Sequence, residues 1–430
     1  MEGGMISVDR WGKGSQAYFL THLHADHTRG LSSSWRRGPL YCSRVSAKLF
    51  PLKFPDFDLS SLRVLNIGSW HRLSLSSPSS GSPAEVDVMP IDALHCPGAV
   101  MFMFRGDFGH VLYTGDFRWE TTGERSQKAR TMLLDALNGA NVDVLYLDNT
   151  YCNPAYCFPS REVAAQQVIE IIASHPEHDI IIGIDSLGKE DLLLRISHCL
   201  KTKIWVWPER LQIMHILGYP DVFTTRTSLT RVRAVPHYSF RTDTLEGLNT
   251  LRPTIGIMPS GLPWMVKPYE GKSKASETCL SVTSTSRRYN VPNGIRVDRN
   301  MRTVERVHQY IYSVPYSDHS CFPEIKDFVQ LIRPSNVKGI VSMSPWYVDP
   351  LYYLSHLFRS NQRPQINSPN PESQGQAKRV QGQGKMKSKD FRGARQRAAE
   401  VNFFGVRIRR VTIMRRIHRG VKIVESHDPD

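Results

Sequence analysis

The stretch that most constrains this chain is Ala17-Tyr18-Phe19-Leu20 with its continuation Thr21-His22-Leu23-His24-Ala25-Asp26-His27. The apolar run reads as a short buried strand, and four ligand-type side chains follow it within six residues. His22 and His24 are two apart, so in extended backbone they point the same way. Asp26 and His27 fall on the turn beyond, free to aim at a neighbouring point. Imidazole nitrogens with a carboxylate suit zinc, or zinc beside a harder second cation. A lone histidine here would read as a surface residue; four ligand types at the mouth of one strand read as a metal site.

Three further candidates stand at expected strand ends. They are His95 in Leu94-His95-Cys96-Pro97-Gly98, Asp116 in Tyr113-Thr114-Gly115-Asp116, and Asp148 in Tyr146-Leu147-Asp148-Asn149. A strand ending in a carboxylate beside Gly or Asn can place that group at a shared edge of a sheet. Singly, each Asp is an ordinary turn or cap residue. Together, downstream of the histidine cluster, they complete a ligand set.

At 430 residues the chain can hold two or more domains with large cores. No run approaches the roughly 18 apolar residues needed to span a bilayer, so no membrane association is expected. Met1–Met5 carries no basic segment followed by an apolar one, and no secretory signal is expected. Seven scattered cysteines without a Cys-x-x-Cys pair read as reduced intracellular thiols. The net charge of +15 points to a polyanionic partner, most simply nucleic acid. Ser360–Asp430 alone supplies about +10 of that charge, so charge does not locate the binding site in the body of the chain.

Strand candidates recur through residues 1–150: Gln16–Leu20, Leu62–Ile67, Val86–Pro90, Val100–Arg105, His110–Thr114 and Val142–Leu147. Arg125–Leu137 reads as a helix. Beyond it the rhythm changes to strand alternating with helix. Ser160 is an expected N-cap for a helix from Arg161 with Val163, Val168, Ile171 and Ile172 on one stripe. Asp179–Ile184, Leu187–Leu200, Ile204–Trp207 and Pro208–Leu217 continue the alternation, as in a second, parallel-sheet α/β domain. Lys267–Arg306 is polar and basic without a period and reads as an exposed or disordered insertion. After Arg359 the chain is low in complexity and then strongly basic.

The His-x-His-x-Asp-His cluster, with His95-Cys96-Pro97-Gly98, Leu112–Arg118, Leu145–Pro154, Ser186–Glu190 and Pro315–Ser320, resembles the metallo-β-lactamase superfamily. Within it the chain is similar to the β-CASP nucleases, in their DNA-processing Artemis/Apollo group and nearest its Apollo branch. The resemblance covers about residues 1–358 in order, apart from the Lys267–Arg306 insertion. It implies an α/β fold: a metallo-β-lactamase αββα sandwich from residues 1–152 and 311–358, with a β-CASP α/β domain, 153–310, inserted. Residues 359–430 stay outside it as a basic low-complexity tail.

The same resemblance implies roles. His22, His24, His95 and Asp116 would hold one tight Zn2+. Asp26 and His27, with Asp116 bridging, would hold a second, weaker metal (Zn2+, Mg2+ or Mn2+), and Asp9 would orient the histidines from behind. A metal-activated hydroxide would hydrolyse the phosphodiester bond, with Asp26, Asp116, Asp148 and His319 as the catalytic set. Asp148 would pair with His319, which would act as general acid, stabilise the phosphate, or ligate the second metal. RNA-cleaving members carry a histidine where this chain has Val341, which favours DNA. Ser186-Leu187-Gly188-Lys189-Glu190 opens a helix, and its N–H groups with Lys189 can take phosphate; a plain strand-to-helix turn fits the spacing equally. The resemblance favours a 5′-terminal substrate phosphate at Ser186 and Lys189.

The implied activity is 5′-to-3′ exonucleolytic digestion of DNA, single-stranded or with 5′-phosphorylated ends. It would serve interstrand-crosslink or double-strand-break repair and telomere processing in the nucleus. An Artemis-like endonuclease and an RNA-processing nuclease are the alternatives. Arg407–Arg419 reads as a solvated charge run, a DNA or import element, or a poor edge strand, and the tail as a possible site for protein partners.

Overall fold

The computed structural model describes residues 5–219, 221–261, 304–342, 348–357, 417–418 and 420–423. The expected insertion, up to residue 303, lies outside the described residues, as do residues 358–416 with most of the basic tail.

Two sheets make the first layers. The five-stranded sheet runs in the order Val421–Ile423, Ile6–Val8, Ala17–Phe19, Leu40–Ser43, Leu62–Leu65. The six-stranded sheet runs Asn336–Gly339, Val144–Leu147, Gly109–Tyr113, Val100–Gly106, Pro83–Asp92, His71–Ser76. Period-two alternation sorts their side chains onto opposite faces. Ala17 and Phe19 meet Phe102, Phe104 and Val111 in a core between the sheets. Phe19 lies 5.2 Å and 5.0 Å, ring centre to ring centre, from Phe102 and Phe104. Tyr18, between them in sequence, packs instead with Trp35, Leu49 and Phe50, the last two on the helix Arg44–Lys53. Met101 and Met103 likewise turn away from the inter-sheet core and cluster with Leu133, Leu137, Ile325 and Phe328. These come from the helices Glu124–Leu137 and Phe322–Ile332. Helix, sheet, sheet, helix is the αββα sandwich.

A third sheet has the order Phe223–Thr224, Ile204–Trp205, Val232–Pro236, Asp179–Ile184, Thr254–Pro259, Ile311–Val314, Glu305–His308. Every neighbouring pair is parallel except the last. Asp179–Ile184 and Thr254–Pro259 are buried along their whole length, as strands covered on both faces are. Ser160 caps the helix Arg161–Ala173, its hydroxyl accepting from the Val163 N–H. Val163 itself is 48% exposed rather than in the stripe, because Ala164 and Ala165 carry that part of the inward face.

Three boundaries differ from expectation. Ile311–Val314, expected in the sandwich, pairs with Thr254–Pro259 in the third sheet. The helix expected from Leu187 begins at Glu190, because Gly188 (φ 106°) and Lys189 (φ 63°) take left-handed backbone. Within the basic tail, Ile417–His418 pairs with Val341–Ser342 and Val421–Ile423 pairs with Ile6–Val8. Among the described residues no helix is long and apolar enough to cross a membrane.

Candidate metal centre

Strand register brings the functional carboxylates together. Gly109–Tyr113, Val144–Leu147 and Asn336–Gly339 are parallel neighbours, with Tyr113 opposite Tyr146 and Leu147 opposite Gly339. Their carboxyl ends therefore share one edge, where Asp116 and Asp148 emerge. The His22–His27 segment reaches the same edge from the other sheet. Gly115 (φ +53°) permits the crossing: a Cβ there would lie 2.9 Å from the Thr21 Cβ and Cγ2.

The first set of facing donor atoms is His22 Nε2, His24 Nδ1 and His95 Nε2, with Asp116 Oδ2 beside His22 and His95. Outer partners fix each tautomer. His24 Nε2–H donates to the Leu187 carbonyl at 2.9 Å, and His95 Nδ1–H donates to the Asp318 carbonyl at 2.8 Å. The Thr21 hydroxyl donates to Asp9 Oδ2 at 2.7 Å, so its lone pair accepts from His22 Nδ1–H at 3.0 Å. The nitrogens left over are lone pairs, and they face one another. His24 Nδ1 is 3.0 Å from His22 Nε2 and 3.1 Å from His95 Nε2. Asp116 Oδ2 is 3.7 Å from His22 Nε2 and 3.6 Å from His95 Nε2.

Four acceptors so placed repel unless a cation lies between them. A tetrahedral zinc site has donor–donor edges of about 3.3 Å, which these four separations bracket. His22 and His95 are kept neutral, as ligands must be. Burial, then the neighbouring His27, His24 and His95, holds His22 well below the usual histidine range. Burial, followed by His319, lowers His95 to about 3. These residues fit a metal ion.

The other oxygen of Asp116 faces a second place. His27 Nε2 is 3.2 Å from Asp116 Oδ1, while His27 Nδ1 donates to Asp9 Oδ2 at 2.7 Å. Burial opposes a charge on His27, yet Asp116 and Asp9 together raise it well above the usual range. The spot favours positive charge. Asp26 lines the adjoining cleft and is partly buried, but the groups of close-set ligand atoms contain His27 and Asp116 without it.

His319 Nδ1 donates to Asp148 Oδ2 at 2.8 Å, and its Nε2 lies 3.8 Å from Asp116 Oδ2. Burial works against ionised Asp148, but His319 outweighs it and holds the carboxyl below its usual range. The loop carrying His319 is fixed by buried Arg118, which donates to the Ser317 carbonyl at 2.8 Å and pairs with Glu324 at 2.9 Å. Val341 is turned away from these groups. Its side chain packs in the inter-sheet core with Val421 and Ile423, and its backbone N–H and carbonyl are both held by the Asn149 amide.

All of this opens onto a cleft of ≈ 850 Å3 between the sandwich and the third sheet. Ser186 and Lys189 line it. Lys189 Nζ is already engaged, 3.1 Å from Asp318 Oδ2 and 3.2 Å from Asp185 Oδ2. Burial would lower the lysine, but Asp318 and Asp185 overcome it and raise it. The Gly188 N–H at this helix start is taken by Glu190 at 2.9 Å. Sequence reasoning missed Asp318 and Asp185, although Asp318 sits inside the Pro315–Ser320 segment it had singled out. It also passed over Cys96, whose sulfur lies in the His22, His24 and His95 group. Burial, then Glu190, raises that thiol well above its usual range and keeps it neutral.

Residues 219–344 match the family described as DNA repair metallo-β-lactamase. The 5′ exonuclease Apollo of Gallus gallus is 38% identical over 359 residues, covering 82% of this chain and 65% of that protein. Residues 219–344 thus carry the DNA repair metallo-β-lactamase family's pattern. Apollo of Danio rerio is 37% identical over 363 residues, covering 84% of this chain and 54% of its own length. The human DNA cross-link repair 1A protein is 31% identical over 339 residues, covering 78% and 29% respectively. The chain thus spans just under two thirds of the Gallus relative and about half of the Danio one. The match to this metallo-β-lactamase family implies bound metal ions, and the His/Asp clusters are where they would sit.

Proposed function

We propose that this chain is a metal-dependent nuclease that shortens 5′-phosphorylated DNA ends in the 5′-to-3′ direction. We place it in the nucleus, in interstrand-crosslink or double-strand-break repair and in telomere processing. The observation that carries the reading is the double use of Asp116. Its Oδ2 faces His22, His95 and His319, its Oδ1 faces His27, and the Asp148–His319 pair stands alongside. That arrangement supports one tight zinc ion on His22, His24, His95 and Asp116. It also supports a weaker ion on Asp26, His27 and Asp116, open to zinc, magnesium or manganese because the Val341 side chain offers no donor. The names of the relatives, a 5′ exonuclease and a cross-link repair protein, support the direction of digestion and the pathway.

Charge in the cleft agrees with metal dependence. Asp26, Asp116, Asp185 and Asp318 line it against Arg29 and Lys189, so a polyanion would meet net negative side chains. Metal ions held by these residues would offset that charge and would supply an acidified water. His319 supplies the proton. Asp148 anchors its Nδ1–H and leaves Nε2 facing the cleft, where it can protonate the departing 3′-oxygen. Asp9 keeps the His27 ring oriented through its Nδ1–H bond. Ser186 offers a hydroxyl to a terminal phosphate. We assign residues 1–152 and 311–358 to the catalytic metallo-β-lactamase domain, the β-CASP domain to 153–310, and the DNA path to the cleft between them. The third-sheet pairing of Ile311–Val314 favours moving the return point past Val314.

The test uses protein of known zinc content on end-labelled single strands, DNA and RNA, each with a 5′-phosphate or a 5′-hydroxyl. Stepwise shortening of the 5′-phosphorylated DNA alone is the expected result. Internal cuts, indifference to the 5′ group, or preference for RNA would overturn the assignment.

A further inference from the structure

The partners of His24 and His95 come from outside the sandwich strands. His24 is fixed by the carbonyl of Leu187, in the turn that follows Asp179–Ile184. His95 is fixed by the carbonyl of Asp318, in the segment that follows Ile311–Val314. These strands belong to the third sheet, on either side of Thr254–Pro259. Two loops of that sheet therefore decide which nitrogen of each histidine is free for a metal. Beyond the histidines themselves, nothing in the first donor set holds the two loops together.

Lys189 does. Its ammonium bridges Asp318 and Asp185 at 3.1 Å and 3.2 Å, and its side chain is only 10% exposed. Its backbone, two residues from the Leu187 carbonyl, adopts the left-handed conformation that turns the chain into the helix Glu190–Leu200. The loops also run close together, since a Cβ on Gly188 would lie 3.3 Å from Asp318 Oδ2. Arg210 braces the same turn, donating to the Gly188 carbonyl at 2.7 Å and to the Ser186 carbonyl.

We propose that Lys189 is a positioning residue for the metal site: by tying the Leu187 turn to the Asp318 segment, it fixes the His24 and His95 tautomers. The inference rests on the metal assignment above and replaces the phosphate contact expected of this lysine. A lysine already flanked by two carboxylates has little net charge left to attract a phosphate. Its loss would instead leave Asp185 and Asp318 facing one another without a cation and let the two carbonyls drift from their imidazoles. Outer-shell partners of ligating histidines typically contribute about 10–100-fold in metal affinity.

The experiment reads metal retention in the whole chain. Zinc-loaded wild type, Lys189→Met, Lys189→Arg and Asp318→Asn would be titrated with a competing chelator, and released zinc followed by a colorimetric dye. Lys189→Met should weaken zinc retention about 10-fold or more, and Lys189→Arg should recover most of it. Asp318→Asn keeps the carbonyl but loses the pair, so it should weaken retention as well. The double variant Lys189→Met with Asp318→Asn should be less impaired than the two losses added, because both remove the same contact. Circular dichroism of each variant separates this from unfolding. A folded Lys189→Met protein with wild-type zinc retention would overturn the proposal. If it also digested 5′-phosphate and 5′-hydroxyl ends alike, the lysine would be returned to the substrate. Absence of tight zinc in the wild type would sink the metal assignment itself, a different failure.

Discussion

Replacing Asp148 by Asn isolates the role of the His319 proton. Asparagine is the same size, and its carbonyl oxygen can keep the bonds that Asp148 Oδ1 accepts from the Thr150 N–H at 3.0 Å and hydroxyl at 2.6 Å. The fold should survive, with a loss of about 1–3 kcal/mol for a buried charge-assisted bond. With that oxygen committed to Thr150, the NH2 group faces His319 Nδ1, where a carboxylate oxygen had stood at 2.8 Å. An amide donor in that place takes away the acceptor that anchors Nδ1–H, and with it the orientation of the ring as a proton donor. General-acid assistance is worth about 10²–10⁴ in rate, or roughly 3–5 kcal/mol of barrier. Single-turnover digestion of end-labelled, 5′-phosphorylated DNA should slow by that factor. Zinc content measured on the same preparation should not change. A rate within about fivefold of wild type would refute the general-acid argument. Zinc lost in parallel with rate would make His319 a ligand.

Other perturbations test the surrounding structure. Asp116→Ala removes the group shared by both donor sets and should lower activity by roughly three orders of magnitude or more, with metal content falling and circular dichroism unchanged. Retained activity would end the bridging assignment. Val341→His should not create a fourth ligand for the second metal, because the side chain is buried between the sheets. It should instead cost about 2–4 kcal/mol in denaturant unfolding, and a gain in metal stoichiometry would contradict this. Asp318 is held below the usual carboxylate range: burial opposes the charge, and Lys189 then outweighs it. A carboxyl depressed in the fold contributes stability above its unfolded pKa near about 4, lost as pH falls through the lower folded value. Melting temperature should therefore fall less steeply below pH 4 in Asp318→Asn than in wild type.

What the sequence disclosed followed from how local each signal was. His22, His24, Asp26 and His27 were legible because they lie within six residues behind an apolar run, and Asp116 and Asp148 because both close such runs. Leu187 could not be found this way: it contributes a backbone carbonyl, which any residue carries. The helix Arg44–Lys53 was missed because Pro51, in its last turn, reads as a break. His71–Ser76 was missed because its inward positions are few, with only Leu73 buried. The placement of Ile311–Val314 escaped because an apolar strand does not name the sheet it joins. Its partner, Thr254–Pro259, is more than fifty residues earlier.

The C-terminal strand extends this last point to chemistry. Val421–Ile423 covers the edge of Ile6–Val8, the strand that ends at Asp9. Gly420 leads into it, and a Cβ at that position would lie 2.2 Å from the Asp9 carbonyl oxygen. Asp9 is itself in left-handed backbone, φ 50°, with its carboxylate spent on Thr21 and His27. It has little room to yield without moving the His27 ring. Gly420→Ala should therefore act on the metal site from the far end of the chain. Overpacking of this kind costs about 1–3 kcal/mol, and here it would be relieved by backbone shift at Asp9. Of the first donor set only His22 leans on Asp9, through Thr21, while His24 and His95 have other supports, so tight zinc should remain. Binding of the second, weaker ion should be lost, seen as a fall in manganese affinity by titration. If manganese binding stays at the wild-type level while stability drops, the strand is a structural cover and its reach stops short of His27.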